Sequence, residues 1–290
     1  MGFPGDRGKI KFQRYSFVSD YQQIYLFVAS VMKAATHFVD SALNHPIFIV
    51  FIGPIVAAFA GTLGAQSLAE RLAKRKELML QINGINLAIA YTANIAEAFI
   101  IMKKQIVLPA SEEYQTNVSL RNAVLTGSTT STSPVSHHIL RLQNFSPIWT
   151  PIENLKETFA SKFISNSKCL ILLTRLSQAI SSLNESILKR NEFISEYRTI
   201  AASQDNRTAL YFGELNSAGH IDERYKNLME HIPEITNDCI GYAVVLYESL
   251  HELGTKTSVQ LKKNSPNIFK ADFLYKDFIP NLERYHPPKG

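Results

Sequence analysis

Charge is scarce in this chain. Only 19% of its 290 residues are Asp, Glu, Lys or Arg, against about 25% in an average soluble protein. Cysteine is scarcer still: two residues cannot provide the disulfide framework of a small secreted scaffold. Thirteen Gly and twelve Pro are too few for a collagen-like or low-complexity chain. Material for a core is not lacking. Hydrophobic residues make up 46%, with 17 Phe and 12 Tyr, which excludes an intrinsically disordered polypeptide.

The strong signatures of chemistry are also missing. The sequence has no Gly-rich phosphate loop, no Gly-x-Ser-x-Gly, no His-Glu-x-x-His, no Cys-x-x-Cys and no EF-hand loop. No cofactor and no metal is therefore called for. The best fragment is Glu248-x-x-His251, whose three-residue spacing puts carboxylate and imidazole on one helix face as in di-iron bundles. Such sites need a second pair and two more Glu, so this pair reads as surface. His220, Asp222 and Asp238 form no recognisable site, and the adjacent His137 and His138 point to different sides of the chain. An enzyme with a site assembled from residues of no recognisable spacing is the alternative to a non-enzymatic reading. Cys169 and Cys239 read as free buried thiols.

The missing charge is local. From Ser41 to Ala69 there is no Lys, Arg, Asp or Glu, and Pro46 to Leu68 reads PIFIVFIGPIVAAFAGTLGAQSL. A helix of about 20 apolar residues spans a hydrocarbon layer of about 30 Å, so this run predicts one transmembrane helix. Gly53, Pro54, Gly61, Gly64 and Gln66 dilute it, and a core helix of a soluble scaffold is the competing reading. Directly after the run come Arg71, Lys74, Arg75 and Lys76, matched to lipid headgroups. The positive-inside rule puts them, and the bulk of the chain, in the cytoplasm. The run begins too late for a cleaved signal peptide and is expected to persist as an anchor. Nucleic acid is the competing partner for a net charge of +5, but charge spread along the chain with its cluster beside the span disfavours it. Within the span Gly53, Ala57, Gly61 and Ala65 recur every four residues. They predict a smooth ridge on which a second copy can pack.

Outside the span, helical periodicity dominates and no strand alternation appears. Residues 1–45 read as an N-terminal tail with an amphipathic helix over 21–44, 46–68 as the transmembrane helix and 69–107 as a helical arm of roughly 60 Å. Beside the arm's apolar positions run Asn83, Asn86, Asn94 and Glu97, read as a polar seam of an oligomer or bundle, or else as a solvated face. Residues 108–147 read as loop or linker, from Pro109 and the Ser/Thr run at 127–136. Residues 148–263 read as a helical bundle. Thr150, Pro151 and Glu153 signal a helix start. Leu173, Leu176, Ile180, Leu183 and Ile187 then form a coiled-coil-like seam, residues 203–233 a connector, and a last long helix runs from about Pro233 to Lys262. Residues 264–290 read as a C-terminal tail. The expected molecule is all-α, a single transmembrane helix followed by a bundle of long helices. Its expected role is a membrane-anchored interaction or effector protein, a homo-oligomer whose partners are the lipid bilayer and a protein of unknown identity.

Overall fold

The computed structural model of the protein describes residues 33, 46–127, 142–162, 166–199, 204–261 and 266–287. Apart from Lys33, the amphipathic helix expected over 21–44 lies outside these residues, as do most of the Ser/Thr run and His137 and His138. Among the described residues the chain is all-α, with no strand and one isolated antiparallel bridge, Leu215 to Ile221. The helices are α1 (Pro46–Met102), α2 (Leu108–Leu125), α3 (Ile152–Lys162), α4 (Ser167–Thr199), α5 (Gln204–Phe212) and α6 (Arg224–Leu261). A π-helical turn, Lys103–Val107, joins α1 to α2, and 3-10 turns lie at Lys276–Phe278 and Glu283–Tyr285.

The chain divides into two units, Met1–Leu72 and Ala73–Gly290. In the first, every residue of α1 from Gly61 to Leu72 is exposed. The second has a core built from α1, α4 and α6. Ile85, Ile89, Ala96 and Phe99 of α1 are buried with Leu172, Leu176, Leu183 and Ile187 of α4 and Ile240, Val245, Leu246 and Leu250 of α6. The three- and four-residue spacing along each helix puts these residues on one face. The side chain of Asn166 caps α4 by accepting from the Cys169 N–H at 3.0 Å.

Cross-helix pairs fix the directions. Arg175 faces Tyr242, and Glu196 pairs with Arg224 at 2.8 Å, so α4 and α6 are antiparallel. Ile85 lies beside Gly254 and Tyr114 beside Tyr225, so α1 and α2 are antiparallel to α6 as well. It follows that α1 and α4 run the same way. The chain between them has to return along the second unit, and residues 142–149 do so extended, passing Asn191 first and Asn184 second. After α6, residues 266–286 return in turn, passing Asn86 and then Lys103.

Three expectations are corrected. Residues 108–125, read as linker, are helix. Only Tyr114 and Asn117 are fully buried there, too few to give a helical pattern, and Pro109 sits in the first turn, where its missing N–H costs nothing. The projecting arm ends early: from Ile82 onward α1 is core of the second unit. The connector at 203–233 contains α5 and the first turns of α6, which starts at Arg224, capped by Asp222 at 3.0 Å, and carries Pro233 inside. The free thiols Cys169 and Cys239 are both buried.

Beside the main core is an aromatic cluster of Tyr114, Phe193, Tyr197, Tyr211, Phe212 and Tyr225. The Tyr225 ring stacks on Phe193 at 5.1 Å and lies 5.0 Å from Tyr211. Burial pushes the Tyr114 and Tyr197 hydroxyls from 10.0 up to about 12, and raises Tyr211 and Tyr225 as well. Folding thus favours the neutral phenols. Their contribution to stability is complete below pH 10 and is lost as pH rises through about 12. Denaturation measured against pH is expected to show cooperative alkaline unfolding in that window, with a shallower slope in Tyr197→Phe. A slope unchanged by this substitution would contradict the assignment.

Candidate membrane anchor and interaction surface

Two apolar stretches share α1, and they stand in different surroundings. Among the described residues, the stretch Gly61–Leu125 is long and apolar enough to cross a membrane by length and composition, and 56% of its most apolar window is buried inside the protein. That burial belongs to Ile82, Ile85, Ala88, Ile89 and their successors in the core. N-terminal to them, Phe59, Leu63, Leu68 and Leu72 are 57–68% exposed. The two ridge glycines differ in what is described. A Cβ at Gly61 would meet nothing within 4 Å, and Ala65 is exposed. The surroundings of Gly53 and Ala57 lie outside the described residues. Arg71, Lys74, Arg75 and Lys76 are all exposed and follow one another on the next turns.

The polar stripe of α1 divides. Asn83 and Asn94 are exposed and Glu97 is half-buried. Asn86 instead holds the returning C-terminal segment: its Nδ2 donates to the Asn267 carbonyl and its Oδ1 accepts from the Phe269 N–H, both at 2.9 Å. Asn191 treats the other extended segment in the same way, bonding the N–H and carbonyl of Phe145 at 2.9 and 2.7 Å. Asn184 bonds those of Ile148 at 3.2 and 3.5 Å. An Asn amide offers one donor group and one acceptor, the same pair a peptide group needs.

Arg190 lies under this first segment. It is 2% exposed, its guanidinium stands 3.6 Å from the Phe145 ring, and Nη1 donates to the Gln143 carbonyl at 2.7 Å. Among the described residues no carboxylate bonds it, and its Nε has no partner. Desolvation lowers its pKa, opposed by Tyr225. A ring face and a carbonyl are what make the buried cation tolerable.

No local pattern marks Arg190, Tyr247, Lys103 or Gly241 as organising residues, because their partners lie far along the chain. Only a count of Asn on helix faces could have pointed to the clamps. Glu248 and His251 border an open cavity of about 550 Å³ together with Tyr247, Glu252 and Lys270. Glu252 there is paired with Lys256 at 2.6 Å. Among the described residues no group of three or more His, Cys, Asp or Glu is placed to hold a metal ion. A smaller cavity of about 220 Å³ is bounded by Tyr114, Phe212, Lys226 and the Arg121–Glu214 ion pair. No family model, no curated protein and no solved structure matches the chain.

The clamps set a measurable cost. Asn191→Ala leaves the Phe145 N–H and carbonyl without their partner and is expected to lower stability by about 2 kcal/mol, two hydrogen bonds at ~1 kcal/mol each. Chemical denaturation checks this; an unchanged midpoint would show that water replaces the clamp fully.

Proposed function

We propose that the protein is a membrane-anchored helical interaction or effector module. In this reading residues 46–68 cross the bilayer once, the chain from Ala73 onward lies in the cytoplasm, and the protein works there as an oligomer that binds a protein partner. The observation that carries the reading is the apolar length of α1, which is exposed from Gly61 to Leu72. No charge interrupts residues 41–69, the helix is continuous from Pro46, and Phe59, Leu63 and Leu68 are exposed. Apolar surface in water costs about 25 cal/mol per Å². A helix apolar on all sides therefore belongs in a core or in lipid.

The basic cluster supports both the boundary and the direction. Arg71, Lys74, Arg75 and Lys76 are exposed just past the apolar length, where each is worth about 1 kcal/mol against an anionic leaflet. Small residues at Gly53, Ala57, Gly61 and Ala65 give two such helices a way to approach closely in lipid. Asn83 and Asn94, exposed on α1, are the polar positions offered to a partner helix.

Alkaline carbonate extraction tests the anchor. The protein is expected in the membrane pellet, and release into the soluble fraction would overturn the reading in favour of a soluble scaffold. Direction is tested by Ser217→Cys, at an exposed turn, with a membrane-impermeant maleimide. Cys169 and Cys239 are buried and give little background. Labelling is expected only after permeabilisation; labelling of intact cells would place this part of the chain outside.

A further inference from the structure

The C-terminal strap, residues 266–286, lies along α1 and α6 and is fastened in two ways. One ignores its sequence. Asn86 bonds the backbone of Asn267 and Phe269, the Tyr247 hydroxyl accepts from the Ala271 N–H at 3.0 Å and donates to its carbonyl at 3.3 Å, and Lys103 donates to the Phe278 carbonyl at 2.8 Å. The other is specific. Tyr285 is 1% exposed and fills a notch at Gly241, where any Cβ would collide with its ring. Its hydroxyl bonds Asp238 at 3.1 Å, and Arg284 reaches the same carboxylate at 2.6 Å while lying over the Tyr285 ring. Between these ends Ile268, Phe273, Tyr275 and Phe278 are only partly buried against the core.

Backbone bonds for affinity and a side-chain pocket for specificity are how proteins bind extended peptides. We propose that the groove between α1 and α6 is a peptide-binding site, that the strap is its built-in occupant, and that the strap of a second copy exchanges into the same place. The choice of a second copy follows from the notch. It demands a phenol hydroxyl and a planar cation for one carboxylate, and the strap's own Arg284 and Tyr285 supply both. Exchange remakes every bond it breaks, which is what makes swapping of identical elements a low-cost route to association. The inference rests on the proposed oligomer for its setting and names that oligomer's contact surface.

A tethered strap competes at an effective concentration of order mM. A labelled peptide of residues 266–290 is therefore expected to bind the full-length Tyr285→Ala chain at least tenfold more tightly than the full-length wild type. The same peptide carrying Tyr285→Ala is expected to bind neither chain, and Arg284→Ala serves as a second, milder release variant. Absence of tighter binding in both release variants would overturn the docking site. For exchange, two differently tagged full-length copies are prepared together, one with a photo-crosslinking side chain at Phe273, which packs 5.3 Å from Tyr247. A crosslink to the other copy's α6 is expected, and exclusively intramolecular product would overturn exchange. Both measurements are made in mild detergent, or in buffer if carbonate releases the chain, so failure of the membrane reading leaves them intact.

Discussion

An extended chain laid against helices has to find partners for its own peptide groups, and the architecture of the second unit depends on how that is solved. A buried peptide group without a hydrogen bond costs a large fraction of the stability of a whole domain. In a sheet the neighbouring strand supplies the partner. Here the described residues contain no strand, so helix side chains do it. Asn86, Asn184 and Asn191 each present an amide that mimics the missing strand, and the Tyr247 hydroxyl does the same by donating and accepting at Ala271. Such clamps give the chain that joins the parallel helices α1 and α4 a bonded route back along the second unit.

Arg190 ties the first extended segment to the aromatic cluster. Its guanidinium is stacked on Phe145 of that segment and lies 5.8 Å from the Tyr225 ring of α6. The two rings, the Tyr225 hydroxyl and the Gln143 carbonyl together compensate a cation that burial strips of water. The π-helical turn plays the matching part for the strap. Both lysines of that turn reach the strap. Lys103, whose pKa is lowered by burial, reaches the Phe278 carbonyl, while Lys104 stands 3.6 Å over the Tyr275 ring.

What could be read in advance divides along the same line between local and distant causes. The start of α3 after Thr150 and Pro151 and the buried face of α4 are written in residues three or four apart, and they are found where those local signals put them. The extended segments are not written that way. Asn86 read as part of a polar stripe, because nothing near it in sequence reveals that Asn267 will lie against it. The start of α6 is hidden for a related reason: Pro233 looks like a beginning, yet Asp222 caps the helix earlier and the Pro is carried inside. The polar surface of α2 hid it, since Tyr114 and Asn117 alone face inward fully.

The same distinction bears on α1, whose two apolar stretches differ in pattern more than in composition. Between Leu78 and Ala96 the amides interrupt at intervals that fall on one side, and the exposed Asn83, Leu87 and Asn94 mark that side while Ile82, Ile85 and Ile89 go inward. One wet face and one buried face is the requirement of a helix at the edge of a protein core. Between Pro46 and Leu68 no such side exists: Gln66 stands near the end, and Thr62 turns its hydroxyl back onto the Ala58 and Phe59 carbonyls, hiding the one polar group it has. A run this apolar on all sides suits a core or lipid, the two settings in which no wet face is needed. In the proposed bilayer setting, small residues every four positions along it would let a second helix approach closely.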